Sequence, residues 1–128
     1  MRLLLDTHTL LWAGDDVGKL SPAGTKELHD PSNEHFVRAA TIWEIAIKLS
    51  VRKLTISLPF LEWIAKALAD LPATILSITP EHADQTIALP FHHRDPFDRL
   101  LVAQAIVENM PLVSTDPTLD AYPIRRIW

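Results

Sequence analysis

Four acidic residues in this chain stand where an acid does more than solvate a surface. Asp98 lies in F-H-H-R-D-P-F-D-R-L-L, residues 91–101, and its i+3, i+4 and i+7 neighbours are Leu101, Val102 and Ala105. Its carboxylate therefore projects at the head of an apolar helical stripe. An ionised carboxylate there is costly unless it is hydrogen-bonded, paired or bound to a cation. Asp6 closes the apolar run 3–5, Asp116 closes the run 112–115, and Glu44 falls in A-A-T-I-W-E.

Each acid also has a local explanation. Asp6, and Asp116 before Pro117, suit helix N-caps. Thr41 and Glu44 make a T-x-x-E capping box, and Glu44 precedes Lys48 by four residues, a pairing worth ~0.2–0.5 kcal/mol. Asp95 before Pro96 is an N-cap followed by proline at the first helical position. Asp98 then falls at N3, where the helix dipole favours a carboxylate. The joint pattern is harder to explain locally. Carboxylates gathered in one place repel one another, and a hard divalent cation with oxygen ligands relieves the repulsion.

Whether the acids meet depends on the elements that carry them. The run 3–5 reads as a strand buried on both faces, followed by helical spacing over 6–13. Ser21-Pro22 starts a helix through 29, residues 35–38 form a short strand, and 40–50 is a helix with Ile42, Ile45, Ala46 and Leu49 inward. Helices follow over 59–71, 80–89 and 96–109, with strands over 74–78, 112–115 and 123–127. Alternating strands and helices predict a three-layer α/β/α sandwich around a mainly parallel sheet, with right-handed crossovers. Asp6 and Asp116 then end strands, and Glu44 and Asp98 open helices that follow the sheet. In such folds the chemistry lies beyond the carboxyl ends of the strands.

Bulk composition leaves this reading open. With 128 residues, 48% hydrophobic and 22% charged, the chain suits one globular domain over 1–128. No apolar run approaches a membrane span, and residues 3–5 are too short and too soon followed by an acid for a signal peptide. The absence of cysteine excludes disulfides and thiolate metal sites and fits the cytoplasm. A net charge of −4 gives no bulk sign of nucleic-acid binding, yet it does not exclude a nucleic-acid enzyme, whose carboxylates around a metal would make the site acidic.

The segments L-L-L-D-T-H-T-L-L-W, A-A-T-I-W-E-I-A-I-K, H-R-D-P-F-D-R-L-L-V-A-Q-A and P-L-V-S-T-D occur in this order. Together they resemble the PIN-domain nucleases, specifically VapC-like toxins of bacterial toxin–antitoxin pairs, nearly end to end. The resemblance implies a metal-dependent endoribonuclease cutting single-stranded or loop RNA to 5′-phosphate and 3′-hydroxyl ends. Asp6, Glu44, Asp98 and Asp116 would be its catalytic residues, binding Mg²⁺ or Mn²⁺. Thr115 and Asp95 would support them, and Lys48, Arg94 and Arg99 would contact RNA phosphates. The resemblance also implies a homodimer and a cognate antitoxin lying across the acids. Arg38 departs from the family pattern, which usually has a small residue there. Residues 50–53 lack the turn glycine common in relatives, consistent with a longer helix.

Competing readings are weaker. His82, His92 and His93 match no zinc spacing, and the last two read as solvated loop residues. Trp12, Trp43, Trp63 and Trp128 could stack on bases, but Trp43 and Trp63 lie in helices beside core positions, which favours packing or a subunit interface. A phosphotransfer protein would need D-x-D after the first strand, and the chain has D-T-H. A PIN-fold RNA-binding module without cleavage remains the alternative, and the complete acid set argues against it.

Overall fold

The computed structural model describes residues 1–128. Five strands, β1 (Arg2–Leu5), β2 (Glu34–Arg38), β3 (Ala73–Leu76), β4 (Leu112–Val113) and β5 (Arg126–Ile127), form one sheet in the order β3-β2-β1-β4-β5. Every pairing is parallel. Six helices surround it: α1 (Thr7–Asp15), α2 (Pro22–His29), α3 (Ala39–Ser50), α4 (Phe60–Asp70), α5 (Pro80–Ala88) and α6 (Pro96–Glu108).

The strand side chains alternate between two cores, as a pleat of period two requires. Leu3, Leu5, Val37 and Val113 join Leu10, Leu28, Ile45, Trp63 and Ala67 on one face. Leu4 and Leu112 join Leu101, Val102, Ala105, Leu119 and Tyr122 on the other. Leu3, Leu4 and Leu5 have no exposed surface at all, and each such burial stabilises by about 1.5–3 kcal/mol. The expected α/β/α sandwich is therefore present, with a wholly parallel sheet.

Three local expectations are corrected. The helix carrying Glu44 starts at Ala39 with Arg38 as an N-cap lacking a side-chain bond, so Thr41 and Glu44 do not form a capping box. That helix stops at Ser50 rather than running on, and Arg52 takes the left-handed turn position (φ 57°) without glycine. The terminal strand is only Arg126–Ile127, because residues 122–124 bend after the 3-10 turn over 117–121 instead of extending.

Two capping details fix the helices that bear on the site. Asp95 caps α6 as expected, accepting from the Phe97 amide at 2.7 Å, and Asn109 ends that helix in the left-handed conformation (φ 52°). Gly14 lets α1 approach α4 closely, since a Cβ there would stand 2.6 Å from Cζ2 of Trp63.

Candidate active site

The carboxyl edge of the sheet collects the acids because every strand points the same way. Asp6 follows β1 and caps α1, its Oδ1 accepting from the Thr7 amide at 2.7 Å. Its Oδ2 accepts from the Ser114 hydroxyl at 2.7 Å, just past β4. That same hydroxyl accepts from the Asp116 amide at 3.2 Å. Ser114 thus ties the first acid to the segment bearing the last.

Glu44 comes from the second turn of α3. Its Oε1 accepts from Thr7 Oγ1 at 2.8 Å, and Thr7 lies 3.1 Å from the buried Thr41 hydroxyl. Its other oxygen pairs with Lys48 at 3.0 Å. Lys48 also lines an open cavity of ≈420 Å³ with His8, Trp12, Lys19 and Lys53.

Asp98 is the perturbed member of the group. Its pKa is pushed up to about 6, first by burial and then by the negative charge of Asp95, with Asp6 and Glu44 adding to it and His93 opposing. No hydrogen bond lowers it. It is a half-buried carboxyl without a donor, in the combined field of its neighbours.

Asp116 behaves oppositely. Burial would raise its pKa, but the side chain and backbone of Thr118 donate to it, and with His93 and Arg126 they bring it below the ordinary aspartate value. His93 is therefore no solvated loop histidine. Its Nδ1 lies 3.1 Å from the Tyr122 hydroxyl, its Nε2 lies 2.8 Å from Thr118 Oγ1, and Nε2 stands 3.8 Å from Asp116 Oδ2. Thr115 makes none of these contacts; the hydroxyls serving the acids belong to Thr7, Ser114 and Thr118. Nothing in the sequence beyond nearness to an acid marks Thr7 or Ser114 for this part, and His93 reads there only as a loop histidine without a zinc pattern.

The cations divide sharply. Arg99 is 8% exposed and donates to the carbonyls of Thr86, Leu89 and Pro90. It clamps the loop ahead of α6, and its burial with both terminal nitrogens on carbonyl oxygens argues against a phosphate contact. Arg94 is exposed in that loop. Arg38 is buried among the acids, with its charge opposed to those of Asp6, Glu44, Asp98 and Asp95. His82 is a core residue, 2.8 Å from Glu108 and completing the cap of α5.

As the side chains are arranged, no three of His, Asp or Glu stand close enough to hold one ion. The donor set nonetheless suits a hard divalent cation: carboxylate oxygens from four segments, one of them without a protein donor.

The PIN domain matches residues 3–124 of this sequence. The chain belongs to the PIN-domain family. It is 31% identical over 121 residues to Ribonuclease VapC22 of Mycobacterium tuberculosis (strain ATCC 25618 / H37Rv), covering 94% of this chain and 91% of that protein. Two solved structures share the PIN fold with it. One is VapBC2 from Rickettsia felis bound to a DNA fragment from their promoter, with TM-score 0.73 and 17% identity, covering 98% of this chain and 97% of that one. The other is VapBC-1 from nontypeable Haemophilus influenzae, with TM-score 0.56 and 13% identity, covering 98% and 96%. In this PIN domain the four acids expected from sequence all lie at the carboxyl edge of the sheet or in the first two turns beyond it.

Proposed function

We propose that this protein is a metal-dependent endoribonuclease and the toxin of a toxin–antitoxin pair. The observation that carries the reading is Asp98: a carboxyl held partly out of water, beside Asp95, Asp6 and Glu44, with no protein donor to stabilise its charge. Such an arrangement is wasteful in a structural role and suits a cation ligand. The 31% identity to a ribonuclease over most of both chains supports the same reaction class.

The roles of the residues follow from their contacts. Thr7 orients Glu44, and Ser114 orients Asp6 while holding the Asp116 backbone. Asp6, Glu44, Asp98 and Asp116 would hold Mg²⁺ or Mn²⁺. Once bound, the ion supplies Lewis-acid stabilisation of charge on the scissile phosphate. Lys48, Lys53 and Lys19 around the cavity beside Glu44, with Trp12 in its wall, are suited to the RNA backbone and a base. Arg94, exposed in the loop before α6, would add a further phosphate contact, and Asp95 caps the helix that carries Asp98.

Protein partners belong to the proposal. Trp43 is 65% exposed and its ring lies 5.7 Å from that of Phe97, beside the half-exposed Ile78. That apolar face suits a homodimer contact, while the antitoxin would cover the acids. No helix is long and apolar enough to cross a membrane, and the reading implies a cytoplasmic enzyme.

One observation favours the alternative of an RNA-binding module without cleavage: the acids do not converge on a point as arranged. A cleavage assay separates the two. Single-stranded RNA incubated with Mg²⁺ should be cut by the wild type and not by Asp98→Asn, with folding and antitoxin binding intact. Cutting that survives thorough chelation refutes the metal mechanism, and mapping the ends across a transcriptome identifies the target.

A further inference from the structure

Arg38 is among the largest side chains that are fully buried, at 1% exposure. It ends β2, where Leu5 pairs with Val37, so the next step of the register sets Arg38 beside Asp6. One terminal nitrogen donates to the carbonyl of Phe97, the residue before Asp98, at 3.1 Å. Its Nε is buried with no partner. Its place at the end of β2 and its bond to Phe97 set the guanidinium within the field of the acids, without a direct ion pair to any of them.

Arg99 shows what a structural arginine looks like in this same protein. It places three hydrogen bonds on carbonyl oxygens. Arg38 makes one. A guanidinium has five donors and does not shed its charge, so burying it with a single bond is costly without other compensation. The compensation is the field of the carboxylates. Burial lowers the pKa of Arg38, and Asp6 foremost, then Glu44, Asp98 and Asp95, oppose that shift.

We infer that Arg38 is the resident cation of the acidic site, a positioning residue whose fixed charge holds the carboxylates together before a divalent ion arrives and weakens the binding of that ion. This rests on the proposal that the acids bind a metal. The same negative potential serves both cations. Arg38 takes part of it permanently, which stabilises the metal-free site, and an entering ion meets a field already partly neutralised.

The test is Arg38→Gln, which removes the charge and keeps a polar side chain. Titration calorimetry of the metal-free protein with Mn²⁺ should give binding tighter than wild type by about tenfold or more. Arg38→Lys should stay close to wild type. In chelator, Arg38→Gln should melt at lower temperature, and adding Asp6→Asn should recover most of the loss, because excess negative charge is then removed. Asparagine still caps α1 but disturbs the bond from Ser114, so the recovery is read against Asp6→Asn alone.

Equal or weaker Mn²⁺ binding by Arg38→Gln overturns the inference, as does simple addition of the two stability losses, which marks packing alone. If Arg38→Gln folds only with Mn²⁺ or only alongside Asp6→Asn, the inference is supported. If it folds in neither condition, the inference is overturned. None of these readouts uses RNA. Failure of the wild type to cut RNA would refute the nuclease reading while the titrations still judge Arg38. Unchanged Mn²⁺ affinity in Arg38→Gln, with the wild type cutting RNA, overturns the role of Arg38 alone.

Discussion

Replacing Asp98 by asparagine is expected to stabilise the metal-free protein at neutral pH while removing its activity. The folded state raises this carboxyl from 3.8 to about 6. That rise corresponds to about 3 kcal/mol, at about 1.36 kcal/mol for each tenfold change in proton affinity. Because the group is only half buried, solvent screening reduces this to ~1–2 kcal/mol. The sign follows from proton counting. Between the unfolded and folded pKa values the native state holds more protons than the unfolded chain, so stability falls as pH rises through that window. Above about 6 the wild type carries the whole penalty, and asparagine carries none.

Asparagine gives up the favourable carboxylate–dipole interaction at the start of α6, ~0.3–1 kcal/mol. It loses no protein hydrogen bond, since Asp98 is held by none. The net gain at about pH 7.5 is then on the order of 1 kcal/mol, or ~3–5 °C in Tm for a chain of this size. Melting curves in chelator are the assay. The advantage of Asp98→Asn should shrink toward zero near about pH 4, where the wild-type carboxyl is protonated in the native state. With Mn²⁺ the order should invert, because at 100 times Kd a bound ion adds about 2.7 kcal/mol to the protein that binds it. A lower Tm for Asp98→Asn in chelator at neutral pH, or a difference independent of pH, would refute the electrostatic account of this residue.

Other substitutions divide the site further. Asp95→Asn keeps the cap on Phe97 and removes the charge that most strongly raises Asp98 after burial. Cleavage should persist within severalfold, and the acidic limb of the pH–rate profile should move to lower pH. Ser114→Ala breaks the link between Asp6 and Asp116; a loss of ~1–2 kcal/mol in denaturant unfolding and weaker Mn²⁺ binding are expected. Gly14→Ala sets a methyl against Trp63 and should cost ~1–3 kcal/mol without altering metal affinity. Arg94→Gln should weaken RNA binding and flatten its salt dependence at constant Tm. Arg99→Gln should lower Tm instead, because its three carbonyl partners lose their donor.

The parts of this protein legible in its sequence are those governed by short-range pattern. Leu3 to Leu5 read as a doubly buried strand because all three are buried, on alternating faces. Asp98 is legible because its own helix supplies the apolar neighbours. The misread parts depend on contacts between distant segments. Thr41 followed by Glu44 fits a capping box in spacing, but the helix begins earlier and Thr41 is buried against Thr7. His93 sits in a loop, where no periodicity reveals that Tyr122 and Thr118 await it. Arg38 and Arg99 carry equal charge in sequence. Only the folded path of the chain separates a cation among acids from one clamped on carbonyls.

The sheet thins toward one side, and that has a kinetic meaning. β1 pairs with β2 over four residues, whereas β4 offers two residues to β1 and two to β5. Asp116 hangs beyond this narrow edge, so it belongs to a region that opens at lower free energy than the centre of the sheet. Amides near Leu112–Val113 and Arg126–Ile127 are expected to exchange hydrogen sooner than those of Arg2–Leu5. A ligand bridging Asp6 and Asp116 would slow that exchange, so protection of the narrow side of the sheet becomes a gauge of occupancy at the site.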